Sequence, residues 1–233
     1  MTILYFIELD SIPIFEQLQL EEALIRISNK NYCLVNKGSS PAIVLGISQN
    51  TEEMVHTSKA KELNVPLIRR FSGGGTVVVD EETLFVTYIF NKEVHPFAPF
   101  PEPIAKWTES IYQRAFPELP FTLRENDYCL FDRKIGGNAQ YLRKDRWLHH
   151  TTFLFDYKPH LMQLLQHPKK APAYRSGRSH LDFITTLKDH IMSKESFVLE
   201  LEKTLSSLFD LDKIAPPYEF LNMPHRKSTV LLD

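Results

Sequence analysis

Residues 127 to 157 hold four strand-like runs with only short turns between them: DYCLFD, RKIGG, AQYLRKD and RWLHHTTFLFDY. Asp-Arg and Lys-Asp pairs mark the turns. Strands joined by so few residues run antiparallel, because a parallel pair needs a long crossover. Upstream, ILYFIEL (Ile3–Leu9), CLVN, PAIVLGI, VPLIRR, TVVVD and TLFVTYIF also read as strands, with KGSS a turn. Leu20, Leu24 and Ile27 recur at helical spacing, and so do Ile104, Thr108, Ile111 and Ala115 after Pro101 and Pro103. EEMVHTSKAKELN reads as one polar helix, KPHLMQLLQ as a short one, and 196–209 as an amphipathic one. The tail beyond Pro216-Pro217 reads as irregular, ending in the apolar stretch STVLL. No β-α-β alternation and no repeat is present. The expected class is α+β, a central mixed, mainly antiparallel sheet flanked by helices, rather than a doubly wound Rossmann sheet.

A chain of 233 residues with 43% apolar and 24% charged residues can bury a full core. A net charge of −2 argues against a general nucleic-acid surface. MTILYFIELD lacks a basic leader and its apolar run is too short for a signal peptide or a membrane span, so a cytoplasmic protein with no membrane partner is expected. Cys33 and Cys129 have no metal-type spacing and read as reduced, buried thiols.

The stretch RRFSGGGTVVVD (69–80) puts arginines, a serine and three glycines at the mouth of a strand. Such glycines let backbone N–H groups close around an anion, and Arg70 can add a bidentate fork for phosphate or carboxylate. The same residues also suit a glycine-rich hairpin with solvated arginines. Neither a Walker A loop nor a Rossmann fingerprint is present. In RKIGGNAQ, Lys134 can present a point charge, Gly136 and Gly137 leave room for a ligand, and Asn138 offers an amide; taken in isolation, an exposed hairpin lysine fits better. His149 and His150, adjacent on a strand, face opposite ways and make a poor chelate, so no metal ligands are assigned. His95, His160, His167 and His180 read as surface or loop residues. The basic loop at 169–178 could dock an acidic partner, close over a ligand or stay solvated.

Together these stretches resemble lipoate–protein ligases. RRFSGGGTVVVD is similar to their R-R-x-S-G-G-G-x-V-x-H-D signature, and RKIGGNAQ followed by HHTTFLFDY to their second motif. LQLEEAL and PAIVLGISQN resemble two further blocks in the right order. The resemblance implies one catalytic domain over 1–233, with core motifs in 5–160 and a C-terminal helical segment at 180–215. Its fold would be the biotin and lipoate ligase core, related to class II aminoacyl-tRNA synthetases. It implies ATP-dependent activation of lipoate to lipoyl-AMP, with Mg²⁺, and transfer to a lysine of an apo lipoyl domain, from a 2-oxoacid dehydrogenase E2 or a glycine-cleavage H protein. Lys134 would contact the α-phosphate and the acyl carbonyl. Arg70 would neutralise phosphate charge. Ser72 and the backbone of Gly74, Gly75, Thr76, Val77 and Val78 would line the nucleotide site, with Asn138, Ala139 and Thr152 near the adenylate. The acyl tail would lie against β-branched residues around Val77.

Two positions depart from the family pattern: Val79 stands where a histidine is usual, and Ile47 where many relatives carry arginine. On this resemblance the chain would be a single-domain form without the C-terminal accessory domain of larger bacterial ligases, which would imply a separate accessory protein or a transferase using a preformed octanoyl or lipoyl donor. Some transferases use a cysteine, and Cys129 lies five residues before Lys134, although a buried thiol fits it better. A non-catalytic lipoyl-adenylate-binding relative is a further alternative. Biotin is disfavoured, because the glycine-arginine loop of biotin ligases is missing.

Overall fold

The computed structural model describes residues 1–166 and 172–232. β1 (Ile3–Leu9) leads into α1 (Ile14–Ile27), then β2 (Tyr32–Asn36) and β3 (Ala42–Leu45). Two short helices follow, α2 (Thr51–Met54) and α3 (Thr57–Glu62), then β4 (Leu67–Arg69), β5 (Thr76–Val79) and β6 (Thr83–Asn91). α4 (Pro101–Ala115) carries its prolines in the first turn, where a missing N–H removes no helical bond. β7 (Phe121–Arg124), β8 (Asp127–Leu130), β9 (Arg133–Leu142) and β10 (Arg146–Leu154) come next. The chain ends through α5 (Pro159–Met162), α6 (His180–Phe183), α7 (Lys194–Ser206), β11 (Asp210–Lys213) and β12 (Val230–Leu232).

The strands form two sheets. The larger runs β11-β1-β2-β6-β10-β9-β8-β7; β1 is parallel to both its neighbours and the other pairs are antiparallel. The smaller runs β12-β4-β3-β5, with only β3 and β4 parallel. One face of the large sheet packs on α4 and α7 through a core rich in aromatic rings, including Tyr88, Phe90, Trp147, Phe153 and Phe197. The opposite face packs on α1 through Leu20, Leu24, Leu34, Ile89 and Leu148. The small sheet meets this second face through Val44 and Val79 against Phe85, with Ile14 and Leu18 of α1 beside them. The tail is held by Glu22, whose carboxylate accepts the N–H groups of Ser228 and Thr229 and pairs with Arg26 at 2.8 Å. Burial raises that carboxyl's pKa, but these hydrogen bonds outweigh it and hold the value below normal.

The α+β class stands, with a mixed and mainly antiparallel large sheet. Several local expectations are corrected. RKIGG and AQYLRKD are one strand, β9, because Gly136 lies under the Phe153 ring; a Cβ there would come within 2.8 Å of it. That glycine serves packing rather than ligand approach. The polar stretch at 52–64 splits into two helices at Val55, which is extended and bridges Leu165. The tail forms the edge strand β12, and 180–215 contains the edge strand β11 as well as helices. His95 lies in the loop after β6, in keeping with a loop residue, but is half-buried: its ring lies 4.4 Å from Trp107 and 4.8 Å from Phe90, and burial pulls its pKa down to about 4.

Candidate active site

The glycine loop is folded around Arg70. The guanidinium is buried, and Nη2 donates to the carbonyls of Gly73 and Gly75, both at 2.9 Å, while Nε donates to Ser72 Oγ at 3.1 Å. Burial lowers its pKa to about 10, and the charge of Glu21 opposes that shift. Gly74 has a φ of +106°, and its carbonyl accepts from Gln49 Nε2 at 3.1 Å. The turn after β3 presses directly on this loop: a Cβ on Gly46 would lie 2.2 Å from the Gly74 carbonyl oxygen. The loop carbonyls are thus turned to protein donors, and among the described residues the N–H groups of Gly73 and Gly74 meet no protein acceptor. Arg70 is the scaffold of the loop, in contrast to the outward fork expected for phosphate.

From Arg70 a chain of polar groups runs inward. Ser72 Oγ lies 3.3 Å from His150 Nε2, and His150 Nδ1 lies 3.0 Å from Glu21 Oε2. The other Glu21 oxygen accepts from Gln17 Nε2 at 2.8 Å and Thr87 Oγ1 at 2.7 Å. A carboxylate only accepts, so the imidazole proton on Nδ1 faces Glu21. Glu21 is fully buried, and a buried carboxylate is tolerable because each of its oxygens has a donor, two on one and one on the other.

This chain borders a narrow cleft between the two sheets. α1 supplies Ile14, Gln17 and Leu18; the small sheet supplies Val44, Val77 and Val79; the large sheet supplies Phe85, Thr87, His150 and Thr152. Its empty volume, open mouth included, is about 310 Å³. Apolar walls with a few fixed polar groups suit an alkyl chain ending in a polar head. Val79 is buried among Ile14, Leu18 and Phe85, so the position that departs from the family pattern is apolar wall. Val77 shares that face. The Val78 side chain points the other way, into a cluster with Ile43, Val55 and Leu161, as strand alternation requires.

Lys134 occupies the β8–β9 hairpin. A register shift at Tyr128 and Cys129 pairs Asp127 with Gly137, Tyr128 with Gly136, and Cys129 with Lys134. The extra residue sends Ile135 and Gly136 to the core and leaves Lys134 and Gly137 on the other side. Lys134 Nζ pairs with Asp127 Oδ1 at 2.7 Å, and a Cβ on Gly137 would lie 3.2 Å from that nitrogen. Gly137 therefore leaves room for the ammonium group. Further along β9, the Ala139 side chain lies 3.2 Å from where a Gly74 Cβ would stand, so this strand abuts the glycine loop.

Thr152 lines the cleft, and the Thr76 hydroxyl is buried without a partner among the described residues. Asn138 has its amide engaged: Nδ2 donates to the Asn126 carbonyl, and Oδ1 accepts from Thr151 Oγ1 at 2.7 Å. The Ile47 side chain is exposed; its N–H donates to the Ser72 carbonyl at 3.0 Å and its carbonyl accepts from Arg69 Nη1 at 3.4 Å. His149 points into the aromatic core, where burial lowers its pKa to about 3. Cys33 and Cys129 are both buried and free, and burial raises both thiol pKa values. Among the described residues no group of three metal-ligating side chains occurs, and no helix is long and apolar enough to cross a membrane. Of the basic loop, His167, Lys169 and Lys170 lie outside the described residues, while Arg175 is buried, with its guanidinium over the Phe183 ring.

Sequence reasoning left Gln17, Glu21, Thr87, Asp127 and the cleft-side task of His150 unassigned. The available signal was Glu21 itself. It lies three residues after Leu18 and three before Leu24, so a charged residue falls on the apolar stripe of α1.

A family model described as the lipoyl protein ligase A/B catalytic domain matches residues 13–206. An inactive lipoate–protein ligase 2 of Plasmodium falciparum (isolate 3D7) is 27% identical, over 94% of this chain and 73% of its own length. The lipoate-protein ligase LplJ of Bacillus subtilis (strain 168) is 31% identical over 78% of this chain, and the match spans about half of that protein, 55%. Among solved structures, a bipartite lipoate protein ligase of Thermoplasma acidophilum has a TM-score of 0.76 at 19% identity, covering 95% of this chain and 91% of that one. A lipoate-protein ligase A bound with ATP has a TM-score of 0.75 at 18% identity, covering 93% and 91%. At such identities the structures establish a shared fold. The family match covers most of the chain, including α1, the glycine loop and the Lys134 hairpin, and this chain belongs to the lipoyl protein ligase A/B catalytic domain family.

Proposed function

We propose that the chain is a lipoate–protein ligase. It activates lipoate with ATP to lipoyl-AMP and transfers the lipoyl group to a lysine of an apo lipoyl domain in the cytoplasm. The observation that carries this reading is the apolar cleft ending at the Arg70-centred glycine loop, with β9 running from that loop to Lys134. The alkyl tail of the acid lies between the sheets and its carboxylate emerges at the loop. The N–H groups of Gly73 and Gly74 bind phosphate oxygen there, beside Ser72, Gly75 and Thr76. In the first step a carboxylate oxygen attacks the α-phosphorus and pyrophosphate leaves. In the second the lysine amine attacks the acyl carbon, AMP leaves and a proton is lost. Lys134 stabilises negative charge in both steps, and removal of a comparable donor slows catalysis by about 10²–10³.

Mg²⁺ would offset the charge of the triphosphate, whose phosphate oxygens would supply most of its ligands. The acceptor is a lipoyl domain of an E2 component or an H protein.

Mass spectrometry of an apo lipoyl domain incubated with the purified chain, MgATP and lipoate tests the reading; ATP-dependent lipoyl addition is expected. Addition only from a preformed acyl-carrier donor, without ATP, would replace it by a transferase. Cys129→Ser separates the two again: burial makes the thiol a poor nucleophile, so ligation rates within about twofold of the parent are expected. A second reading has support in Val79, which puts apolar wall where the family carries histidine. It is a protein that binds the adenylate without transfer, and calorimetry showing tight lipoyl-AMP binding with no acceptor modification would favour it.

A further inference from the structure

Asp127 makes more than the ion pair with Lys134. Its Oδ1 lies 2.7 Å from Lys134 Nζ, and its Oδ2 accepts from the Tyr174 hydroxyl at 2.8 Å. Cys129 Sγ lies 3.5 Å from the same hydroxyl and can donate its S–H to it, which directs the phenolic proton toward the carboxylate. A carboxylate held through one oxygen turns about its last torsion. Held through both, it fixes the oxygen that holds the ammonium.

Tyr174 is itself anchored. Its ring packs on Phe183 with centroids 5.1 Å apart, and the N–H of Ala173 donates to Glu125 Oε1 at 2.7 Å. The Thr185 N–H donates to the Lys134 carbonyl at 2.8 Å, and Arg178 pairs with Asp132 at 3.0 Å. Residues 173 to 185 are therefore tied to β8 and β9 on both sides of Lys134, and Tyr174 is the point where that segment reaches the Lys134–Asp127 pair.

We propose that Asp127 and Tyr174 are positioning residues for Lys134: Tyr174 orients the Asp127 carboxylate, which aims the ammonium group at the reacting carboxyl and phosphate. The proposal deepens the ligase reading and rests on it for the role of Lys134. It assigns the 173–185 segment a part in the chemistry without placing any of its side chains on the substrate.

The test uses the full chain with ¹³C-labelled lysine, the Lys134 Cε signal being assigned by its loss in Lys134→Arg. In Tyr174→Phe the ring stays and the hydroxyl goes. The signal should move toward that of exposed lysines, and kcat for lipoyl-AMP formation should fall about tenfold. KM for ATP should stay within about twofold and the melting temperature within a few degrees, a split that a purely structural contact would not give. Asp127→Asn should lower kcat further, and Asp127→Glu should recover part of it. An unmoved Lys134 signal with unchanged kcat in Tyr174→Phe would overturn the proposal, as would losses that follow melting temperature alone. A parent chain that forms no lipoyl-AMP, yet whose Lys134 signal still shifts in Tyr174→Phe, would sink the ligase reading and uphold the positioning of Lys134.

Discussion

His149 and His150 are neighbours on β10, and each reports on one face of the same sheet. The His149 ring enters a closed aromatic core: Gln140 donates to its Nδ1 at 2.8 Å, and hydroxyls of Thr108, Tyr128 and Thr151 lie 3.4 Å from Nε2. Burial keeps it neutral. His150 enters the cleft, where Glu21, Ser72 and Arg70 continue the chain of polar groups. Strand alternation alone separates them. One face is dry and filled, and its polar groups serve packing. The other keeps buried charges and an unfilled cleft, an arrangement costly to fold and useful only to a ligand. Substitutions on the first face should therefore cost stability, and those on the second should cost chemistry.

The largest expected effect tests the filled face. Phe153→Ala removes a fully buried ring that packs on Tyr112 and Phe197, and should destabilise the fold by about 3–5 kcal/mol in urea unfolding. A loss below ~1 kcal/mol would mean that this face relaxes far more readily than a packed core does. On the cleft side, Glu21→Ala orphans donors on His150, Thr87 and Gln17 and should cost about 1–3 kcal/mol, while lowering lipoyl-AMP formation by more than Phe153→Ala does at a temperature where both are folded. Equal activity losses would erase the distinction between the faces.

A third test is pH. His149 has a folded pKa of about 3 against an ordinary 6.5. The unfolded chain binds a proton below 6.5 that the folded chain refuses until about pH 3. The stability linked to this neutral ring is therefore fully present above 6.5 and is lost as pH falls through that window, on the order of 2 kcal/mol by pH 5. His95, lowered to about 4, acts in the same direction. The unfolding free energy of His149→Gln should fall less steeply between pH 6.5 and 4 than that of the parent; identical slopes would place a charged or solvated ring at this position.

Much of this frame was legible before any coordinates. Alternating or fully apolar runs placed β1 at its observed bounds, and helical spacing located α1 and α4. What escaped had no periodic signal. β11 is the polar run DLDK, mostly exposed, and exists because it pairs with the edge of β1. In the sequence a glycine pair reads as a break in β9, whereas Gly136 is required by a ring from the next strand. At the site, residue types were legible and their directions were not. The arginine of the glycine loop turned inward to hold carbonyls, and the placement of Lys134 depends on a bulge that no local sequence rule announces. Asp127 and Tyr174, far apart in sequence, meet only through tertiary structure.

The most direct test of the account is lipoate-dependent exchange of labelled pyrophosphate into ATP, which reads the first chemical step without an acceptor. The parent chain should catalyse exchange only with lipoate present, and Lys134→Ala should reduce it by about 10²–10³ while keeping the parent melting temperature within a few degrees. Exchange that persists undiminished in Lys134→Ala, or that is absent from the parent at saturating MgATP and lipoate, would contradict it.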